Sequence, residues 1–175
     1  MTDIRGNTAL LLHCSGLAVS PVMLEILAGA ANTVTDSANW DGWWPLLAIV
    51  SGKRQFMYYR DEPFALAGNH HNKAEAVRCL LQAGADVNLV TSLGYSALHT
   101  ALHYGLPDIA LLLVRAGADV TSPDFLGNSP LSLALAHDNL HMASILVAAG
   151  APCHISPAQR WDLWSQHLNS TNKMF

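Results

Sequence analysis

Nine histidines and three cysteines are the side chains of this 175-residue chain with the widest chemical reach. His99 and His103 stand four apart, so both lie on one face of a helix that extends that far. With a carboxylate, two such imidazoles could ligate zinc, yet no HExxH pattern accompanies them. His137 and His141 share the spacing, but a loop between helices is expected to turn them in different directions. His70-His71 and Cys153-His154 are neighbours in sequence, and such neighbours rarely converge on one ion. No metal site and no cofactor are expected.

Nucleophilic catalysis needs a Ser or Cys beside a base that a third group orients. No GxSxG turn is present, and Cys79, next to Leu80, is expected on a buried helix face. Cys14 is expected to end a short helix and to pack there. The glycines are spread at regular intervals and not clustered, so no phosphate-cradling loop is written. Asp61-Glu62 reads as part of a solvated loop. The expectation is no catalysis; the rival is a small metal- or thiol-dependent enzyme using His103, His137 and a cysteine.

Composition narrows the classes further. Hydrophobic residues make up 51% and charged residues 13% of the chain, against about a quarter charged in an average globular protein. An uncharged outward surface follows, which favours contact with another protein. The net charge is −4 and the largest basic cluster is Lys53-Arg54, so nucleic acid is not an expected partner. No run of 18 apolar residues suggests a membrane span. The apolar stretch Thr8 to Leu12 is interrupted by His13, Ser15 and Pro21, unlike a signal segment. Three widely spaced cysteines do not suggest a disulfide framework. A cytoplasmic protein is expected.

The elements that must carry these residues emerge from an internal period. Ala83-Gly84-Ala85-Asp86-Val87 recurs as Ala116-Gly117-Ala118-Asp119-Val120 and as Ala149-Gly150-Ala151, in steps of 33. Gly94-Tyr95-Ser96-Ala97-Leu98-His99 and Gly127-Asn128-Ser129-Pro130-Leu131 move with it, and Gly6-Asn7-Thr8-Ala9-Leu10 opens an earlier copy. Thr8 to Gly29, Ser96 to Gly117 and Ser129 to Gly150 each span 21. Pro107 suits a first helical position, where its missing N–H is no loss. Ile109, Leu112 and Leu113 then line one helical face, as do Val77, Leu80, Leu81 and Met142, Ile145, Leu146.

These residues resemble the ankyrin repeat family: Leu98-His99-Thr100-Ala101 matches its L-H-x-A segment and Ser129-Pro130-Leu131 its T-P-L segment. The resemblance implies an all-α solenoid, each repeat a β-turn followed by two antiparallel helices. It also implies that His99 helps fix its turn by hydrogen bonding. As one domain over 1–175, the repeats run at about 4–36, 37–93, 94–126 and 127–154. The 37–93 segment is irregular, with 19 residues in excess. Either 53–71 is an insertion between the helices of one unit, or 42–60 is a stunted unit and Glu62-Pro63-Phe64-Ala65-Leu66-Ala67 opens the next; the helix-like second opening favours the latter. Ser156-Pro157-Ala158-Gln159, followed by Trp161, Trp164 and Leu168, reads as a capping helix over 156–169.

The resemblance implies a protein-binding module whose turns and first helices form the contact face. On the turns the candidates are Trp40, Asp41, Trp43, Tyr95, Asp124, Phe125 and Asn128. On the first helices they are Thr100, His103, Tyr104 and His137. Trp and Tyr are common interface anchors. The expected function is to bind and inhibit or neutralise a partner protein, as an immunity-type inhibitor of a toxin would; the acidic balance suits a basic partner. A self-associating unit, dimerising through the irregular second repeat, is the competing expectation.

Overall fold

A hydroxyl opens three of the first helices. Thr8, Ser96 and Ser129 each accept a backbone N–H three residues on, from Leu11, His99 and Ser132. Such side-chain oxygens satisfy a donor that the first helical turn leaves open. Proline then begins four helices, at Pro21, Pro45, Pro107 and Pro130, where its fixed φ suits the first turn. The computed structural model describes residues 2–4, 6–14, 20–29, 35–40, 42–51 and 70–152. Among these the elements are α1 (Ala9–Cys14), α2 (Pro21–Gly29), α3 (Pro45–Ser51), α4 (His70–Gln82), α5 (Ala97–His103), α6 (Pro107–Arg115), α7 (Pro130–Ala136) and α8 (Leu140–Ala148). The described residues hold no strand; Thr2 and Thr8 form an isolated antiparallel bridge.

The chain divides into two compact units, Met1–Thr91 and Ser92–Phe175. In the first, α1 packs on α2 and α3 on α4, while α1 also meets α3 and α2 meets α4. Two helix pairs are thereby stacked. Leu10, Leu11, Leu24, Leu80 and Val77 fill the space between them, and every residue of α3 is buried. Burying one such leucine side chain is worth about 1.5–3 kcal/mol relative to exposure. Trp44 stands at the register position that Thr8, Ser96 and Ser129 occupy in the other copies. It is buried with Nε1 unbonded and offers no capping oxygen.

The second unit repeats the arrangement with α5 on α6, α7 on α8, α5 on α7 and α6 on α8. Of the expected inward faces, Ile109, Leu113, Met142, Leu146, Val77 and Leu80 are buried, while Leu81, Leu112 and Ile145 are half-buried at the edges. Cys14 ends α1 and is buried, as is Cys79 in α4. The expected capping helix at 156–169, the opening at 62–67 and Cys153 lie outside the described residues.

Candidate functional site

The turns before the first helices share one construction. Asp3 accepts the Asn7 N–H at 2.9 Å through Oδ1 and the Asn7 side-chain amide at 2.8 Å through Oδ2. Asp124 accepts the Asn128 N–H at 2.8 Å and its amide at 3.1 Å in the same way. Asn39 takes this part in the second repeat: its Oδ1 accepts the Trp43 N–H at 2.9 Å, and its amide donates to Asn7 Oδ1 at 2.8 Å. Short polar side chains that bond the backbone ahead of them stabilise turns. Each turn closes at a glycine, Gly6, Gly42 and Gly127, whose N–H donates to the carbonyl of Asp3, Asn39 and Asp124.

The large apolar side chains described one or two places ahead of each turn glycine are held away from the core. In the first unit these are Ile4, 87% exposed, and Trp40, 80% exposed. The Trp40 indole lies against Gly6, where a Cβ would stand 2.9 Å from Trp40 Cδ1. In the second unit they are Leu93 at 51%, Phe125 at 74% and Leu126 at 69% exposed. The Phe125 N–H donates to the Leu93 carbonyl at 2.9 Å, so consecutive turns lie side by side. Gly94 permits this approach: its φ is +71°, and a Cβ there would meet the Phe125 nitrogen at 3.3 Å. The result in the second unit is an uncharged apolar tip on a hydrogen-bonded base.

The other candidates separate by depth. His103 and His137 are exposed, and Trp43, Tyr95, Tyr104 and Asn128 are half-buried. Asp41 lies outside the described residues. Two candidates are corrected as exposed positions. Thr100 is buried because its hydroxyl donates to the Ser96 carbonyl at 3.0 Å, and Asp124 is buried because both its oxygens build the turn. Ile4, Leu93 and Leu126 escaped the sequence reading. The available signal was their place between the turn-opening residue and the glycine, equivalent to that of Trp40 and Phe125.

His99 works inside the fold. Its Nδ1 accepts the Ser96 N–H at 3.4 Å while the His99 N–H donates to Ser96 Oγ at 3.3 Å, a reciprocal cap on α5. Burial holds the ring below the usual imidazole value, against the opposing charge of Asp124, the carbonyls of Ser122 and Asn128, and Asp119. Burial likewise pushes the Cys14 thiol up to about 12. The Cys79 thiol is raised by burial first, then by the charges of Glu25 and Glu75. Neither sulfur has the lowered pKa of an activated nucleophile. No cluster of three or more His, Cys, Asp or Glu side chains suited to a metal gathers among the described residues.

No curated protein matches the chain. A family model described as ankyrin repeats, in three copies, matches residues 64–157. That span exceeds half of the sequence, and its α5–α8 portion carries the helix pairs and turns just described. The chain belongs to the ankyrin repeat family.

Proposed function

We propose that this chain binds another protein through its turn tips and inhibits or neutralises that protein by covering its surface. Ankyrin repeats are protein–protein interaction modules, and no helix among the described residues is long and apolar enough to cross a membrane. The observation that carries the reading is the pairing of rigid turns with exposed apolar tips, Phe125 and Leu126 beside Leu93 above all. Large apolar side chains held ready in a bound geometry lose little entropy on association, which raises affinity. Trp40 offers the same kind of anchor in the first unit, with His103, Tyr104 and His137 on or beside the first helices of the second.

The partner we favour is basic. In the second unit Asp108, Asp119, Asp124 and Asp138 outnumber Arg115 among the described charged side chains, and the whole chain carries −4. An immunity-type inhibitor of a toxin fits that balance, as does a cytoplasmic setting for the free thiols of Cys14 and Cys79. The role is non-catalytic, in keeping with thiols that burial leaves unactivated. Affinity capture from the native host with the wild type and with Phe125→Ala/Leu126→Ala tests this. One stoichiometric partner, lost in the double variant, is the expected result. A partner retained by both rejects the tips as the site. No partner, with a dimer by sedimentation, favours self-association instead.

A further inference from the structure

His103 closes α5, and His137 caps the C-terminal end of α7. Because α5 packs on α7 within the second unit, two histidines 34 apart in sequence become neighbours. Their ring centroids are 6.5 Å apart with the planes at 88°, and both side chains are exposed. Tyr104 stands edge-on to His103 at 5.2 Å. We propose that His103 and His137 together chelate a divalent transition metal ion, with copper, nickel and zinc as the fitting class.

The geometry supports one ion shared by two rings. With a metal–nitrogen bond of about 2.0–2.1 Å, each ring centroid lies roughly 3.2 Å from the metal. Two such rings are then about 5.2 Å apart at a tetrahedral angle and about 6.4 Å apart when opposed across the ion. The observed spacing of 6.5 Å lies just beyond the wide end of that range. A modest turn of exposed side chains, which change rotamer readily, covers the remainder. Imidazole nitrogen is a favoured donor for copper, nickel and zinc.

The described residues offer no third His, Cys, Asp or Glu to complete a cluster. The pair therefore supplies two ligands and leaves positions for water. The backbone holds the pair at a fixed separation, since each histidine sits at the end of a packed helix. Chelation by two groups so placed avoids much of the entropy lost when two free imidazoles are gathered. This binding does not depend on the partner reading, because both ligands come from the chain itself.

Titration of the intact protein with Ni(II) or Cu(II) alone, followed by calorimetry and by NMR of the histidine rings, tests it. One equivalent is expected to perturb the His103 and His137 signals together, ahead of the other histidines. His103→Asn and His137→Asn are each expected to weaken that equivalent by about tenfold or more, since loss of even an outer-shell partner costs 10–100-fold. Both variants should keep the wild-type circular dichroism, because both side chains are exposed. Undiminished binding in either folded variant, or a first equivalent that perturbs other histidines, overturns the proposal.

Discussion

His99 accepts the Ser96 N–H through Nδ1, which leaves the ring proton on the buried Nε2. A second proton would place a charge in this poorly solvated position. Burial is the leading reason that the folded ring titrates below its ordinary value of 6.5. Between the folded and unfolded values the unfolded chain carries more protons, so stability rises with pH across that window. The His99 contribution is thus complete above about pH 6.5 and declines as the pH falls towards the folded value. Urea unfolding at pH 7.5 and pH 5.5 should show a lower midpoint in acid. His99→Gln can keep the reciprocal cap without a titrating ring, and its acid loss should be smaller; an equal loss assigns the effect elsewhere. Asp119 acts in a separate window. Hydrogen bonds from Ser122 and Thr121 lower it from 3.8 to about 2, so its contribution is present above 3.8 and lost on descent towards 2.

Among the elements, the second repeat departs furthest from its neighbours. Its turn keeps the polar clamp, with Asn39 in the place of Asp3 and Asp124, but Trp44 replaces the capping hydroxyl at the start of α3. We infer that 37–93 is a single repeat with its excess residues lying between α3 and α4 in sequence. The support is that α3 packs on α4 as α5 packs on α6, and that each also stacks on its counterpart in the first repeat. The turn glycines Gly42 and Gly94 are 52 apart where Gly94 and Gly127 are 33 apart, an excess of 19. The family match opens at residue 64, which favours the alternative of a separate unit beginning near Glu62-Pro63. Replacing 52–69 by a short glycine-containing loop separates the two. Under the insertion reading the product remains folded and helical by circular dichroism. Cooperative unfolding that disappears on excision supports a separate unit.

For the molecule as a whole, stability and recognition rest on different side chains. Leu113 is fully buried in the second unit, whereas Phe125 projects from its turn and bonds to Leu93 through its backbone N–H. Leu113→Ala is expected to cost about 2–5 kcal/mol through lost transfer energy and a residual cavity. Phe125→Ala is expected to change stability by no more than about 0.5 kcal/mol, the usual range for exposed positions. Thermal unfolding of both variants provides the comparison. A Phe125→Ala loss as large as that of Leu113→Ala would make Phe125 part of the core and remove it from the recognition surface.

Much of this was legible in the sequence because the governing physics is local. Caps at Thr8, Ser96 and Ser129, prolines at first helical positions and glycines at recurring turns act over a few residues, so their spacing discloses the repeat. The inward stripes followed from helical period alone, and Ile109, Leu113, Met142 and Leu146 are buried as that period requires. Exposure at the turns was less legible. Thr100 and Asp124 carry polar side chains suited to a surface, yet hydrogen bonds to the backbone draw both inward. Leu93 and Leu126 are apolar and still project outward, because the turn geometry leaves them nowhere to pack. The meeting of His103 with His137 is further removed from local spacing, since it exists only where α5 stacks on α7. The sequence by itself determined the repeating unit and the helix faces that carry its core; tertiary packing decided which polar groups were enclosed and which distant side chains met, because burial depends on what a neighbouring repeat lays over each position.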